Sequence, residues 1–254
     1  MASDFDPKAT NPRFPPTRAS AIRSLGSDDT AERARAFGLL VQAYWRPVYM
    51  HVRLKWRRNA DEARDLTQGF FARALEKRAF VGYEPGRGRF RTYLRGSLDN
   101  YVVDLAREES RQKRGGDTLH LNVDFAVLEE ELGSSSALSG AADATDIEAC
   151  FDREWKRSLF AAAVQALERA CSEQGKQTYF EVFRRYVLDP EMSGVGVSYA
   201  DVAKACGIAV SDVTNYLSWT KRELRARVLD ELRAITTSDE ELRDEARAVL
   251  GIEL

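Results

Sequence analysis

The residues best suited to a chemical task lie between positions 198 and 227, in SYADVAKACGIAVSDVTNYLSWTKRELRAR. Polar and aromatic side chains recur at helical spacing along its second half: Ser211, Asn215, Ser218, Trp219 and Arg222. Hydroxyl and amide groups hydrogen-bond to base edges, and guanidinium groups bind phosphates. A core helix has no need of such a face, whereas a helix that enters the major groove of DNA does.

The residues around this face predict a helix, a tight turn and a second helix. Ser198 and Asp201 form a start signal for the first helix. Gly207 suits a left-handed turn, and Ser211 suits the cap of the second helix. The buried side of the second helix is predicted to carry Val213, Leu217, Thr220, Leu224 and Val228.

A second group of polar residues lines one edge of a predicted helix over 90–113. Its members are Tyr93, Asn100, Asp104, Arg107 and Arg111, continued by Lys113 and Arg114 and preceded by Arg87 and Arg89. Arginine holds phosphates, asparagine hydrogen-bonds base edges, and tyrosine offers a stacking face. The mixture suits a strand being opened as well as a closed duplex. The alternative is a solvated helix with internal ion pairs such as Asp104 with Arg107.

Helical periodicity elsewhere predicts an all-α protein. Helices are expected over 31–56, where Pro47 bends or divides the helix, and over 61–77. A glycine-rich loop over 79–88 follows. A second helical unit is predicted to begin near Phe151, and the capping box at Ser238 predicts a short acidic tail helix.

Charge divides the chain more sharply than its net value of −2 suggests. Residues 1–116 hold 23 Lys and Arg against 14 Asp and Glu, whereas residues 117–254 hold 15 against 26. We predict two small helical domains, 23–116 and 151–234, joined by a flexible acidic linker over 117–150. A proline-rich arm over 1–22 is predicted to be disordered, and 235–254 forms the acidic tail.

Several classes of protein are disfavoured by the composition. No apolar run reaches membrane-spanning length and the N-terminus does not resemble a signal peptide, so we expect a cytoplasmic chain with no membrane partner. Cys150, Cys171 and Cys206 are scattered, which predicts neither disulfides nor a metal site. His51 and His120, the only histidines, suggest no acid–base pair. We expect no enzymatic activity and no cofactor.

Two motifs, DEARDLTQGFFARALEK and FRTYLRGSLDNYVVDLAREESRQKR, followed by the helix-turn-helix, resemble a bacterial RNA polymerase sigma factor of the extracytoplasmic-function (ECF) type. The resemblance covers about residues 30–114 and 151–229. It implies a region 2-like bundle and a region 4-like helix-turn-helix domain. It also implies core RNA polymerase and promoter DNA as partners, and leaves an anti-sigma factor or another regulator open as a third.

The resemblance assigns site residues to three surfaces. A surface for the clamp coiled coil of the polymerase would comprise Glu62, Asp65, Gln68, Phe71 and Arg73. The −10 element would be recognised and melted by Arg87, Arg89, Tyr93, Asn100, Asp104, Arg107, Arg111, Lys113 and Arg114. The −35 element would be read by Ser211, Thr214, Asn215, Ser218, Trp219, Lys221 and Arg222. Gly69, in mid-helix, suggests a close approach by the polymerase.

The chain departs from the family in three places. Family members more often carry an acidic residue where Gly69 stands, often carry Trp where Tyr93 stands, and often carry basic residues where Thr214, Tyr216 and Trp219 stand. Fewer cations release fewer counterions, so the second unit alone should bind DNA weakly. We expect Trp219 to be exposed, where it would contact either a base or another protein. The rival function is a helix-turn-helix regulator that binds DNA without joining core polymerase.

Overall fold

The computed structural model describes residues 20–84, 86–109, 123–133 and 144–253, and within these ranges every regular element is a helix. A 3₁₀ turn at Ala79–Gly82 and a π turn at Arg184–Leu188 supplement the α-helices. The α-helices are α1 (Ala21–Ser24), α2 (Thr30–Lys55), α3 (Ala60–Glu76), α4 (Phe90–Glu109), α5 (Phe125–Gly133), α6 (Ala144–Glu173), α7 (Gln177–Phe183), α8 (Asp189–Ser193), α9 (Tyr199–Cys206), α10 (Val210–Ile235) and α11 (Asp239–Leu250). The prediction of an all-α chain is confirmed for this part of the sequence.

Side-chain caps fix where four of the helices begin. Asp29, Asn59, Ser198 and Ser238 each accept a hydrogen bond from a backbone N–H in the first turn of α2, α3, α9 and α11. The predicted cap at Ser211 is wrong. Helix α10 begins one residue earlier, after Ala209, which has no side-chain oxygen. Helix α2 continues through Pro47 without being divided.

The larger of two hydrophobic cores surrounds α2. Leu40, Val48 and Tyr49 on this helix are fully buried. They pack among apolar residues of α1, α3, α4 and α5, and of the first half of α6. The second half of α10 and α11 also contribute, through Leu232 and Ala246. Burying each large side chain here contributes on the order of 1.5–3 kcal/mol.

The smaller core lies beneath the helix-turn-helix. Its fully or nearly fully buried members come from α6, α7, α9 and α10: Leu167, Cys171, Val182, Phe183, Val202, Ala203, Val213 and Leu217. Gly207, with φ of +66°, ends α9 in the left-handed conformation that the sequence predicts. The first half of α10 is therefore held against α7 and α9 by its apolar side.

Helix α6 belongs to both cores. Its 30 residues span about 45 Å. Trp155 and Leu159 lie in the larger core, whereas Leu167 and Cys171 lie in the smaller. The predicted domain boundary at residue 151 falls inside this helix, and residues of both predicted domains complete the larger core. The division into two independent domains therefore stays a prediction.

Part of the predicted linker is helical and packed. Phe125 of α5 contacts the rings of Trp45 and Tyr49, with centroids 5.4 and 5.1 Å away. Glu129 accepts hydrogen bonds from the Tyr49 hydroxyl at 2.5 Å and from Arg53 at 2.8 Å. Residues 110–122 and 134–143 lie outside the described ranges. At the other end of the first predicted domain, residues 20–22 of the predicted arm are buried, and residues 1–19 are not described.

A carboxylate ties the end of α2 to the middle of α4. Asp99 accepts hydrogen bonds from Nε2 of His51 at 2.9 Å, Nζ of Lys55 at 2.6 Å and Nε1 of Trp56 at 3.1 Å. Burial raises the pKa of Asp99, but the hydrogen bonds and charges of His51 and Lys55 outweigh burial and lower it to about 2.

We expect Asp99→Asn to lower the free energy of unfolding by about 1–3 kcal/mol at neutral pH, because three donors lose a charged acceptor. The pKa of Asp99 is depressed in the folded state, so its contribution is present above about pH 4 and is lost as the pH falls through about 2. Urea unfolding of both proteins between pH 6 and pH 2 measures this. Asp104→Asn, whose carboxylate is half exposed, is the control. A wild-type-to-variant difference that does not shrink in acid would contradict the assignment.

Among the described residues, no helix combines the length and the apolar character needed to cross a bilayer.

Candidate nucleic-acid interface

Helix α10 presents the predicted polar face to solvent. Six of the seven residues that the sequence assigns to this face are exposed: Ser211, Thr214, Asn215, Ser218, Lys221 and Arg222. Val213 and Leu217, on the opposite side, are buried in the smaller core. Hydroxyl, amide and cationic groups therefore project together from one rigid helix, which is the arrangement that base-edge and phosphate recognition requires.

Trp219, the seventh residue, is only partly exposed. Its ring lies edge-on to Tyr179, with centroids 5.3 Å apart, and the ammonium of Lys176 lies 4.1 Å from the ring centroid. Tyr179 also stacks on Tyr216 at 3.7 Å. The expectation of an exposed Trp219 is met only in part, because α7 packs against the indole. The pairing of α7 with α10 joins residues that are far apart in the sequence, so the helical spacing within α10 does not predict it.

Sequence reasoning missed one cation on this face. Arg225 is exposed and lies three residues beyond Arg222 and seven beyond Ser218, on the same side of α10. The spacing alone could have identified it. Lys221, Arg222 and Arg225 together make this end of the polar face of α10 more basic than predicted, which favours phosphate contacts there.

Helix α4 brings only part of its predicted set to the surface. Asn100 and Arg107 are exposed, and Asp104 is half-buried with its carboxylate 3.7 Å from Nη1 of Arg107. The internal ion pair of the alternative interpretation is thus present, although a contact of this length between exposed groups contributes little. Arg111, Lys113 and Arg114 lie outside the described residues.

Tyr93 has a structural contact as well as an accessible face. Its hydroxyl donates to the carbonyl of Ala79 at 2.9 Å and its ring lies 5.5 Å from that of Tyr83. It therefore holds the 3₁₀ turn against α4. Arg87 is exposed with Nε 2.7 Å from Glu84, in a loop where Gly86 and Gly88 take φ of +95° and +131°. Only glycine enters that region without strain.

Only some residues of the predicted polymerase surface on α3 are exposed. Glu62 and Asp65 are exposed and line a pocket of about 250 Å³ between α3 and α4. Gln68 is 7% exposed and Phe71 is fully buried, so neither can contact a partner in this conformation. Phe71 packs against Phe37 of α2, with ring centroids 6.2 Å apart, a long-range contact that helical spacing within α3 does not predict. Arg73 is half-buried, with Nη1 3.6 Å from Glu108 of α4.

Gly69 has a different explanation from the predicted one. A Cβ at this position would lie 2.4 Å from the Tyr101 hydroxyl, so the close approach comes from α4 of the same chain. The glycine therefore serves the packing of α3 against α4, and its presence does not require a partner protein.

Helix α11 covers the start of α4, a contact that sequence reasoning did not predict. Oε2 of Glu245 lies 2.6 Å from Nη1 of Arg91, and Oε1 lies 3.6 Å from Nε of Arg89. Glu241 accepts a hydrogen bond from the backbone N–H of Phe90 at 3.4 Å. The opposite charges of the two halves of the chain are the one sequence feature that could have indicated this contact.

The contact changes the titration of two of its groups. Burial raises the pKa of Glu245, although Arg91 and Arg89 oppose the shift. Burial, followed by the charge of Glu241, raises the pKa of Tyr83 to about 12. The Tyr83 hydroxyl lies 2.8 Å from the carbonyl oxygen of Gly88 and 3.2 Å from Oε1 of Glu241. The carboxylates of α11 thus take positions where a nucleic-acid phosphate would be favoured.

Comparison with known proteins found no matching family model, no matching curated protein and no matching solved structure. The described residues include no cluster of His, Cys, Asp or Glu arranged to hold a metal ion. His51 is buried against Asp99, and burial raises the pKa of the Cys150, Cys171 and Cys206 thiols. The site that these residues build is a surface of cations and hydrogen-bonding groups.

We expect Gly69→Ala to lower the free energy of unfolding despite the roughly 1 kcal/mol that alanine gains over glycine within a helix. In a Tyr101→Phe background the same change should raise it, because the clashing hydroxyl is absent. Gly96→Ala, at a helical position with no atom within 4 Å, is the control and should stabilise. Thermal unfolding measures all three effects, and an equal effect of Gly69→Ala in both backgrounds would contradict the packing explanation.

Proposed function

We propose that this chain is an RNA polymerase sigma factor of the ECF type, which joins core polymerase, recognises promoter DNA and assists its melting. The observation that carries the proposal is the exposed polar and cationic face of α10 on a helix-turn-helix body. The exposed residues of α4 support it. Asn100 and Arg107 lie two helical turns apart on this helix, and the loop before it carries cationic side chains.

The proposed chemistry is binding without covalent change. On α10, Asn215 and Ser218 would hydrogen-bond base edges of the −35 element, while Lys221 and Arg222 would bind phosphates. On α4, Asn100 and Arg107 would hold bases and phosphates of the −10 element as its strands separate. Turning a base out of the stack costs a few kcal/mol, which contacts with the unstacked base and its backbone must offset.

The packing of α6 in both cores would position the two reading surfaces. Because Trp155 and Leu167 anchor the same helix in different cores, α4 and α10 are connected by ordered helical structure in this conformation. Recognition of two promoter elements by one chain then requires that α4 and α10 keep this arrangement when the chain binds polymerase.

The rival function is a helix-turn-helix regulator that acts without polymerase. Burial of Gln68 and Phe71 favours it, because two of the five residues assigned to the polymerase surface are inaccessible. Glu62 and Asp65 remain available beside the α3–α4 pocket. Binding of the purified chain to core polymerase in the absence of DNA separates the two functions, since only a sigma factor should bind.

We expect Asp65→Arg to weaken binding to core polymerase by at least about tenfold, or about 1.4 kcal/mol, because it reverses a charge at the centre of the proposed surface. Glu168→Arg makes the same charge change on the exposed side of α6, outside that surface, and should bind as the wild type does. Titration of labelled chain with core enzyme measures both. Equal affinities of the two variants would remove Asp65 from the interface.

We expect Asn100→Ala with Arg107→Ala to abolish promoter opening while leaving polymerase binding intact, because both side chains are exposed and neither belongs to the predicted polymerase surface. Permanganate reactivity of unpaired thymines and run-off transcription measure opening. Gln165→Ala with Arg169→Ala removes the same two groups from the exposed side of α6 and is the matched control. Opening that survives in the α4 variant would contradict the assignment, as would loss of polymerase binding.

A further inference from the structure

The start of α4 is an anion-binding surface that α11 occupies. The first backbone N–H groups of a helix lack intrahelical partners and carry positive partial charge. At α4 this end is flanked by the guanidinium groups of Arg89 and Arg91. Phosphates bind such sites readily. Here Glu241 accepts a hydrogen bond from the backbone N–H of Phe90, and Glu245 lies between the two guanidinium groups.

The carboxylate of Glu245 forms a short, buried ion pair with Arg91. Glu245 is 4% exposed and Arg91 is 8% exposed, with 2.6 Å between their nearest atoms. Arg91 is held from three sides, because its Nε lies 3.2 Å from Asp152 and its guanidinium carbon lies 4.6 Å from the Trp155 ring centroid. Two of these three partners belong to α6, so Arg91 has contacts that do not depend on α11.

Another anion can take the place of the α11 carboxylates at the start of α4. Only Leu242 and Ala246 of α11 are well-buried apolar residues. A buried ion pair contributes little net stability, because removing the charges from water offsets most of their attraction. Burial raises the pKa of Glu245, which indicates that its ionised form is held at a cost. A polyanion supplies the same charges to Arg89 and to the helix end.

Between α11 and the loop before α4 lies a pocket of about 250 Å³. One wall carries Tyr83 and Arg89, which could stack on a base and bind a phosphate. The other wall carries Glu240, Glu241 and Asp244, which repel phosphates. Nucleic acid therefore gains access to the first wall only when the acidic wall moves away.

We propose that α11 is an intramolecular competitor of DNA, which occupies the phosphate-binding start of α4 and must be displaced before this surface binds a strand. The inference rests on the proposed function in so far as α4 contacts DNA. It makes the acidic tail a regulator of the chain's own DNA binding: displacement exposes Tyr83, Arg89 and the end of α4 together.

The test uses the full chain and two charge-matched double variants. Glu241→Gln with Glu245→Gln removes both carboxylates that contact α4 and leaves Leu242 and Ala246 in place. Asp239→Asn with Glu253→Gln removes two exposed carboxylates that make no contact with α4. The probe is a fluorescein-labelled, mixed-sequence single-stranded DNA, and binding is followed by fluorescence anisotropy.

We expect the Glu241/Glu245 variant to bind the probe about tenfold more tightly than either the wild type or the control, which corresponds to a docked fraction of about nine-tenths in the wild type. Equal dissociation constants for the two double variants would overturn the inference, because the gain would then follow from net charge alone.

A measurement on the wild type guards against misfolding of the variants. Amide hydrogen exchange over 239–250 should accelerate when the probe DNA is added, while exchange in α6 should not. Unchanged or slower exchange in α11 on DNA binding would overturn the inference.

Binding to core polymerase is measured on the same three proteins. If the wild type binds polymerase and the two double variants bind DNA equally, competition by α11 fails and the proposed function stands. If the Glu241/Glu245 variant gains DNA binding but no protein joins polymerase, the proposed function fails and the competition stands.

Discussion

The packing of α6 into both cores is the constraint on which the rest of the structure depends. Trp155 and Leu159 fix its first half among α2, α4 and the end of α10, while Leu167 and Cys171 fix its second half under the helix-turn-helix. Because an uninterrupted helix is stiff over this length, the exposed side of α10 and the exposed side of α4 take a defined relationship. Neither surface is an appendage on a loose tether in this conformation. Any rearrangement that separates them must open one of the two cores or break α6.

Electrostatics gives the two candidate surfaces different characters. On α10, Lys221, Arg222 and Arg225 are exposed at the end of a polar face, so they meet a polyanion with little rearrangement. At the start of α4, Arg89 and Arg91 already have carboxylate partners from α11. Binding of nucleic acid at α4 is therefore an exchange of one anion for another, whereas binding at α10 adds a new contact. Salt should weaken the second kind of binding more steeply, because only it neutralises free cations.

Local sequence patterns predicted the helices and the exposed polar face of α10 well, and the long-range contacts poorly. The caps at Ser198 and Ser238 and the turn at Gly207 depend on neighbouring residues, so they could be read directly. The face of α10 followed from helical spacing. By contrast, Phe71 is buried against Phe37 of α2, Trp219 is covered by α7, and Gly69 is explained by Tyr101. Each of these outcomes depends on a residue more than thirty positions away, and periodicity within one helix contains no information about it.

The contribution of α11 to the larger core has a consequence for how the chain is made. Helix α4 ends at Glu109, and α11 begins only at Asp239. At the usual rates of translation, roughly ten seconds separate the synthesis of the two helices. During that interval the surface of the larger core that Leu242 and Ala246 later cover is exposed on the nascent chain. Destabilising α11 should prolong this exposure and increase aggregation of newly made chains.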